Sequence, residues 1–212
     1  MSDSIEEKPA TGYDRGVDYT EMKDKLVKTF EELNKLYEDS DQIPSADKYI
    51  RQITYCLVAI IQLRNASRIS EACNALTKFL ETDNFNDKVI VKIAKSKSIK
   101  YKKGTHEKFV TKTRFRKMLF PITWIEEVIL KEGIKLFLKQ YTGDLKRRVC
   151  DYLLRSFNCN THSLRYACIN YLLYDQKKEM SIVAKFVGHT GVAQLVRYTQ
   201  LKESDKLFDL DI

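Results

Sequence analysis

Two of the chain's three histidines stand in its last third, each close to an arginine or a tyrosine. The stretches read Thr161-His162-Ser163-Leu164-Arg165-Tyr166, then Val187-Gly188-His189-Thr190, then Val196-Arg197-Tyr198-Thr199. A guanidinium is a planar, permanently charged donor fork that fits phosphate oxygens. An imidazole moves protons near neutral pH, and an activated phenol is a nucleophile. Set in a basic chain, these groups point to chemistry on a phosphodiester. The remaining chain must supply the elements that hold them.

The sequence has 212 residues, a net charge of +8 and 43% hydrophobic residues. That apolar content builds a real core and excludes a disordered chain. The length fits one domain, or a domain with an extension. The charge favours an acidic partner, nucleic acid or an anionic membrane surface; the plainer reading is a solvated basic face. No apolar run reaches the roughly 18–20 residues that span a bilayer. The start, Met1-Ser2-Asp3-Ser4-Ile5-Glu6-Glu7, is acidic and polar, unlike a signal peptide. Five scattered cysteines, Cys56, Cys73, Cys150, Cys159 and Cys168, form no CxxC pair. They read as reduced, mostly buried thiols of an intracellular protein.

Residues 1–18 read as a flexible lead. Met22, Leu26, Phe30, Leu33 and Tyr37 recur at helical steps, which predicts a helix over 19–38. Residues 38–45, with Pro44, read as a polar break and a domain boundary, with Ser45 or Asp47 capping the next helix. Tyr49, Ile50, Ile53, Leu57, Ile60 and Ile61 make that helix strongly apolar and central. A further helix presents Ile69, Ala72, Cys73, Leu76, Phe79 and Leu80 inward. Residues 89–93 read as a strand, 94–98 as a polar turn and 99–102 as the strand returning from it. Another strand follows within 108–120. Helices resume after Pro121: one through Gly133, one capped by Asp144, one carrying His162, one over 181–187 broken by Gly188, and a last turn or two over 194–201.

The basic character is local. From Lys88 to Lys117 stand ten lysines and two arginines against one carboxylate, Glu107, a formal +11. The rest of the chain is therefore slightly acidic. A β-rich basic insertion beside a candidate phosphate site reads as a DNA contact, with Lys92, Lys95, Lys100, Lys102 and Lys103 as its cations.

Five short motifs stand in one order: Arg68-Ile69-Ser70-Glu71, Ser96-Lys97-Ser98, His162-x-x-Arg165, Gly188-His189, and Tyr198 nine residues after His189. Together they resemble the catalytic domain of the tyrosine recombinases, the phage integrase family, relatives of the type IB topoisomerases. The resemblance covers about 47–200. It implies a mainly α fold with a small β-hairpin or sheet insertion. It implies a site-specific recombinase that integrates, excises or resolves a mobile element of a virus or plasmid through a 3′-phosphotyrosine. In that scheme Arg68, Arg165 and His189 stabilise the phosphate, and Glu71 orients Arg68 or a neighbouring histidine. His162 is general base or phosphate positioner, Lys97 protonates the leaving 5′-oxygen, and Tyr198 is the nucleophile. No metal or nucleotide cofactor is needed. The partners implied are double-stranded DNA and further copies, from dimer to tetramer, in a DNA-associated location in a prokaryotic cytoplasm or a nucleus.

Taken singly, each motif has an ordinary reading. Arg68 and Glu71 fit a surface helical ion pair, His162 a helix-start residue satisfied by backbone, and Tyr198 is one of twelve tyrosines. Lys95 stands two positions from Lys97 in the same segment. The lead into Arg68 is Asn65-Ala66-Ser67, where the family usually has a glycine, and Tyr166 stands where a histidine is common. Residues 1–18 and 19–46 precede the catalytic unit as lead and helix with linker. The apolar tail, 201–212, is expected to dock on a neighbouring copy or on its own chain. Other readings are a nicking-closing or end-resolving enzyme with the same chemistry, a DNA-binding protein of this fold that does not recombine, and a basic helical RNA- or DNA-binding protein.

If the basic window binds phosphate, replacing Lys92, Lys95, Lys100 and Lys102 with Gln flattens the slope of log K against log salt. The expected change is roughly 0.9 for each phosphate that is no longer neutralised. An unchanged slope in DNA titrations over a salt series would remove the assignment.

Overall fold

The computed structural model describes residues 16–40, 43–82, 88–94, 99–101, 104, 108–110, 114–120 and 128–195. The architecture is mainly helical: α1 Tyr19–Glu38, α2 Ile43–Asn65, α3 Ile69–Glu81, α4 Val128–Gln140, α5 Leu145–Phe157, α6 Thr161–Asn170 and α7 Met180–Phe186. Among the described residues, four short strands, β1 Lys88–Lys92, β2 Ile99–Tyr101, β3 Lys108–Val110 and β4 Phe115–Leu119, interrupt the helices after α3. Among the same residues no helix is long and apolar enough to cross a membrane.

α2 is the axis of the fold. Residues 53–63 of this helix are buried without a break, because α1, α3, α4, α5 and α6 all pack on it. A helix apolar on every side needs partners on every side. α1 lays Met22, Leu26 and Phe30 into the same core as Ile53, Leu57 and Phe79. Its start is fixed by Asp18, whose side chain accepts from the Glu21 N–H at 2.8 Å.

The start of α2 differs from the sequence expectation. The helix begins at Ile43, so Pro44, Ser45 and Asp47 lie within it and neither polar residue is its cap. Proline is tolerated there because a first-turn N–H has no partner within the helix. Asp144 does cap α5, accepting from Lys146 and Arg147, and Asn160 caps α6 through the Ser163 N–H at 2.9 Å.

The strand pairing also differs. β2 does not return along β1. β1 pairs antiparallel with β4, and β2 with β3. The β1–β4 register places Val89 opposite Met118 and Val91 opposite Arg116. Val91, Arg116 and Met118 are buried, whereas Lys88, Ile90, Lys92, Phe115 and Lys117 face outward. A strand pairs where its apolar phase finds a matching buried face, not with the nearest strand in sequence. The connection from β2 to β3 therefore spans 102–107, within which Gly104 takes φ +83.

α6 runs into a π-helical turn, Tyr171–Asp175. Tyr171 and Leu172 are half-buried there, and Tyr171 stacks on Tyr19 at 4.3 Å. A 3-10 turn, Val192–Gln194, precedes the expected last helix over 194–201; residues 196–201, with the tail over 201–212 and most of the lead, lie outside the described residues. All five cysteines are thiols, none joined in a disulfide.

Since Leu26 is fully buried in the shared core, Leu26→Ala should cost about 2–5 kcal/mol. Urea unfolding should stay a single transition, shifted to lower denaturant. A separate early transition for α1 would contradict its place in that core.

Candidate active site

The site forms where two helices end. α2 closes with a backbone motif in which Ala66 N–H bonds Leu63 O at 3.3 Å and Ser67 N–H bonds Gln62 O at 3.1 Å. Such an ending sets one residue in the left-handed region, here Ala66 at φ +45. α7 closes the same way: Gly188 N–H bonds Lys185 O at 3.2 Å and His189 N–H bonds Ala184 O at 2.9 Å. Gly188 takes φ +76, and a Cβ there would lie 3.0 Å from Ile93 Cδ1.

Arg165, in the second turn of α6, reaches both endings. Its Nη1 donates to Ala66 O, and its Nη2 donates to Val187 O at 3.2 Å and to His189 Nε2 at 2.9 Å. A guanidinium has no acceptor, so Nε2 accepts and the neutral His189 ring carries its proton on Nδ1. Arg165 is 3% exposed. A cation is favoured at a helix C-terminus, and this one serves two.

Glu71 is the second organiser. It is 1% exposed and accepts four hydrogen bonds. Arg68 supplies two, from its backbone N–H at 3.3 Å and from Nη1 at 3.1 Å. The Ala94 N–H gives the third at 2.9 Å and Arg116 Nη1 the fourth at 3.4 Å. A buried carboxylate is costly unless paired and hydrogen-bonded; this one is both. The pair with Arg68 is therefore not a surface helical ion pair.

Arg116 is the residue that sequence reasoning missed. There it is one cation among the twelve of the basic window. The available signal is phase: it shares a strand face with Met118, two residues on. Its Nη2 donates to Asn65 O, and its guanidinium lies 5.4 Å from the Phe186 ring centroid. Burial pushes its pKa down to about 10, with Glu71 opposing the shift, so it stays charged at neutral pH. Asn65 in turn clasps β4, donating to Leu119 O at 2.9 Å and accepting from Leu119 N–H at 3.0 Å. Gln62 ties α2 to the start of α6 through Thr161 O at 2.7 Å.

Arg68 and Arg116 thus share one buried carboxylate, and Arg165, close enough to act on the charge of Arg116, leaves an excess of positive charge. His189 records it. Burial first, then the charges of Arg165, Arg68, Arg114 and Arg116, hold its pKa down at about 4. Arg68 is the accessible guanidinium, its side chain 28% exposed. His162 sits exposed in the first turn of α6, one turn before Arg165. Lys92 is exposed at the end of β1, and Lys100 lies in β2. Lys95, Lys97, Lys102, Lys103 and Tyr198 lie outside the described residues. Leu195, three positions before Tyr198, is fully buried in a small core with Ala66 and Val187, the residues whose carbonyls Arg165 binds.

Comparison with known proteins adds a family. "Putative integrase V10" of Sputnik virophage is 43% identical over 209 residues, covering 96% of this chain and 92% of that protein. "Putative integrase ORF241" of Acidianus two-tailed virus is 28% identical over 91% of this chain and 66% of its own length. An uncharacterized protein of Methanocaldococcus jannaschii is 27% identical over 99% of this chain and 95% of its own length. No protein-family model matches the sequence, and no solved structure matches the chain.

The two helix endings give a pair of expectations. Gly188→Ala combines a left-handed φ with the contact to Ile93, and should cost about 1–3 kcal/mol in thermal or urea unfolding. An unchanged stability would contradict the conformation assigned to Gly188. The second concerns His189. Between pH 4 and the usual 6.5 the unfolded chain binds a proton here that the folded chain does not. The contribution of this group to stability is therefore present above 6.5 and is lost as pH falls towards 4. In an NMR titration its ring signals should still be those of the neutral form at pH 6; a midpoint at or above 6.5 would contradict the site's electrostatics.

Proposed function

The chain belongs to the integrase family of the virophage protein, and on that premise we propose that it cleaves and rejoins DNA as a tyrosine-type site-specific strand transferase. The observation that carries this reading is the convergence of Arg68, Arg165 and His189, from three distant parts of the chain, in a site with excess positive charge. A phosphodiester under attack gathers negative charge on its non-bridging oxygens, and preset donors lower that barrier.

In the proposed reaction the Tyr198 phenolic oxygen bonds to the scissile phosphorus. The bond from phosphorus to the 5′-oxygen breaks, leaving a 3′-phosphotyrosine and a free 5′-hydroxyl. His162 takes the phenolic proton, and Lys97 gives a proton to the departing oxygen. Arg68, the most accessible of the three guanidiniums, contacts a non-bridging oxygen. Arg165 holds His189 beside the same phosphate. Attack by a new 5′-hydroxyl reverses the steps and conserves the bond energy. The unit over 47–200 carries the chemistry with α1 packed on it. Lys92, Lys95, Lys100, Lys102 and Lys103 hold the duplex backbone, and two to four copies assemble on the DNA.

The test uses a duplex nicked just beyond the scissile phosphate, its site chosen by selecting bound fragments of the element that encodes the protein. On a denaturing gel the wild type should give a covalent protein–DNA band, and Tyr198→Phe none. Arg68→Ala should weaken the band by roughly a hundredfold. Binding in register without any band would replace this reading with that of a DNA-binding protein that does not recombine.

A further inference from the structure

Beside the proposed site lies a groove that the steps above leave unused. It is about 710 Å³ in volume and runs between β4 and α7 with His189 on its wall. Its floor includes Arg116 and Gly188, and its sides carry Arg114, Lys117 and Lys185. No carboxylate is among the described lining residues. Two exposed large apolar side chains also line it: Phe115, 60% exposed, and Ile182, 56% exposed.

The cations alone would suit the backbone of a paired duplex. Phe115 and Ile182 would not, because phosphates take charge and N–H donors rather than apolar faces. A positively charged track beside an exposed aromatic ring is the arrangement that binds unpaired nucleotides, since every base has a face to stack. The same alternation continues outside the groove. On the outer face of the β1–β4 ribbon, Phe115 stands opposite Lys92, and Lys117 opposite Ile90. A protein partner would also cover the two apolar side chains, but a lining with several cations and no carboxylate favours a polyanion.

We propose that this groove binds unpaired nucleotides of the strand that runs from the phosphate at Arg68 and His189. A base lies against Phe115 and Ile182, and the neighbouring phosphates lie on Arg114, Lys117 and Lys185. The inference deepens the strand-transfer reading and rests on it for the source of the unpaired strand.

Fluorescence anisotropy with the full chain tests it, using two labelled probes: a duplex of arbitrary sequence with a short central bubble, and the same duplex fully paired. The wild type should bind the bubbled probe roughly tenfold more tightly. Phe115→Ala should abolish that preference while Phe115→Tyr keeps it, and circular dichroism should show both variants folded, since the ring is exposed. Lys117→Gln with Lys185→Gln should weaken binding to both probes. Equal wild-type affinity for the two probes, or a preference that survives Phe115→Ala, would overturn the proposal. So would a Phe115→Ala effect confined to self-association in light scattering. Binding is read without cleavage, so the two ideas fail separately. A Tyr198-dependent adduct without bubble preference removes the groove alone, and bubble preference without an adduct removes the strand-transfer chemistry alone.

Discussion

The Arg165 guanidinium sits where α2 and α7 both end, and its hydrogen bonds to Ala66 O, Val187 O and His189 Nε2 join the two endings. Each ending leaves carbonyls that the helix itself cannot use. One cation between them satisfies two such groups and places a third partner, the imidazole. The geometry of the site therefore depends on three backbone facts. Ala66 accepts a left-handed φ, Gly188 does so without a Cβ that would press on Ile93, and Gln62 fixes the start of α6 against α2. Leu195, packed in the same small core as Ala66 and Val187, extends that dependence towards the end of the chain.

Charge sets the second constraint. Among the described residues, three guanidiniums and one carboxylate share the interior behind the site, and the balance is positive. Glu71 keeps Arg68 and Arg116 apart by giving each its own carboxylate oxygen. Removing the carboxylate would leave Arg116 buried with its charge uncompensated, which costs far more than the pair itself gains. The depressed pKa of His189 has the same origin. An anionic phosphate entering the site would relieve the repulsion, so the site is electrostatically set for an anion.

Local features were legible in the chain. The helical spacing of Met22, Leu26 and Phe30, the cap at Asp144 and the apolar face from Ala72 to Leu80 are short-range properties, and the structure has them. The motif order also singles out Arg68, Glu71, Arg165 and His189 without any geometry. What the chain did not disclose was non-local. The pairing of β1 with β4 depends on which strand presents Met118 to the core. The burial of Arg116 follows from that pairing, so a residue that looks like one more surface cation becomes a core ion. Ala66, in the lead to Arg68 where the resembled pattern usually has a glycine, takes a left-handed φ in this chain. Lys97 and Tyr198 rest on the sequence motifs and the chemistry they imply.

The proposed strand transfer turns on its nucleophile, and mass spectrometry addresses it directly. Protein trapped on a nicked duplex would be trimmed with nuclease, digested with protease and sequenced by fragmentation. The expected result is a nucleotide mass on the phenolic oxygen of Tyr198. The same mass on another side chain, Tyr166 or a serine for example, would contradict it.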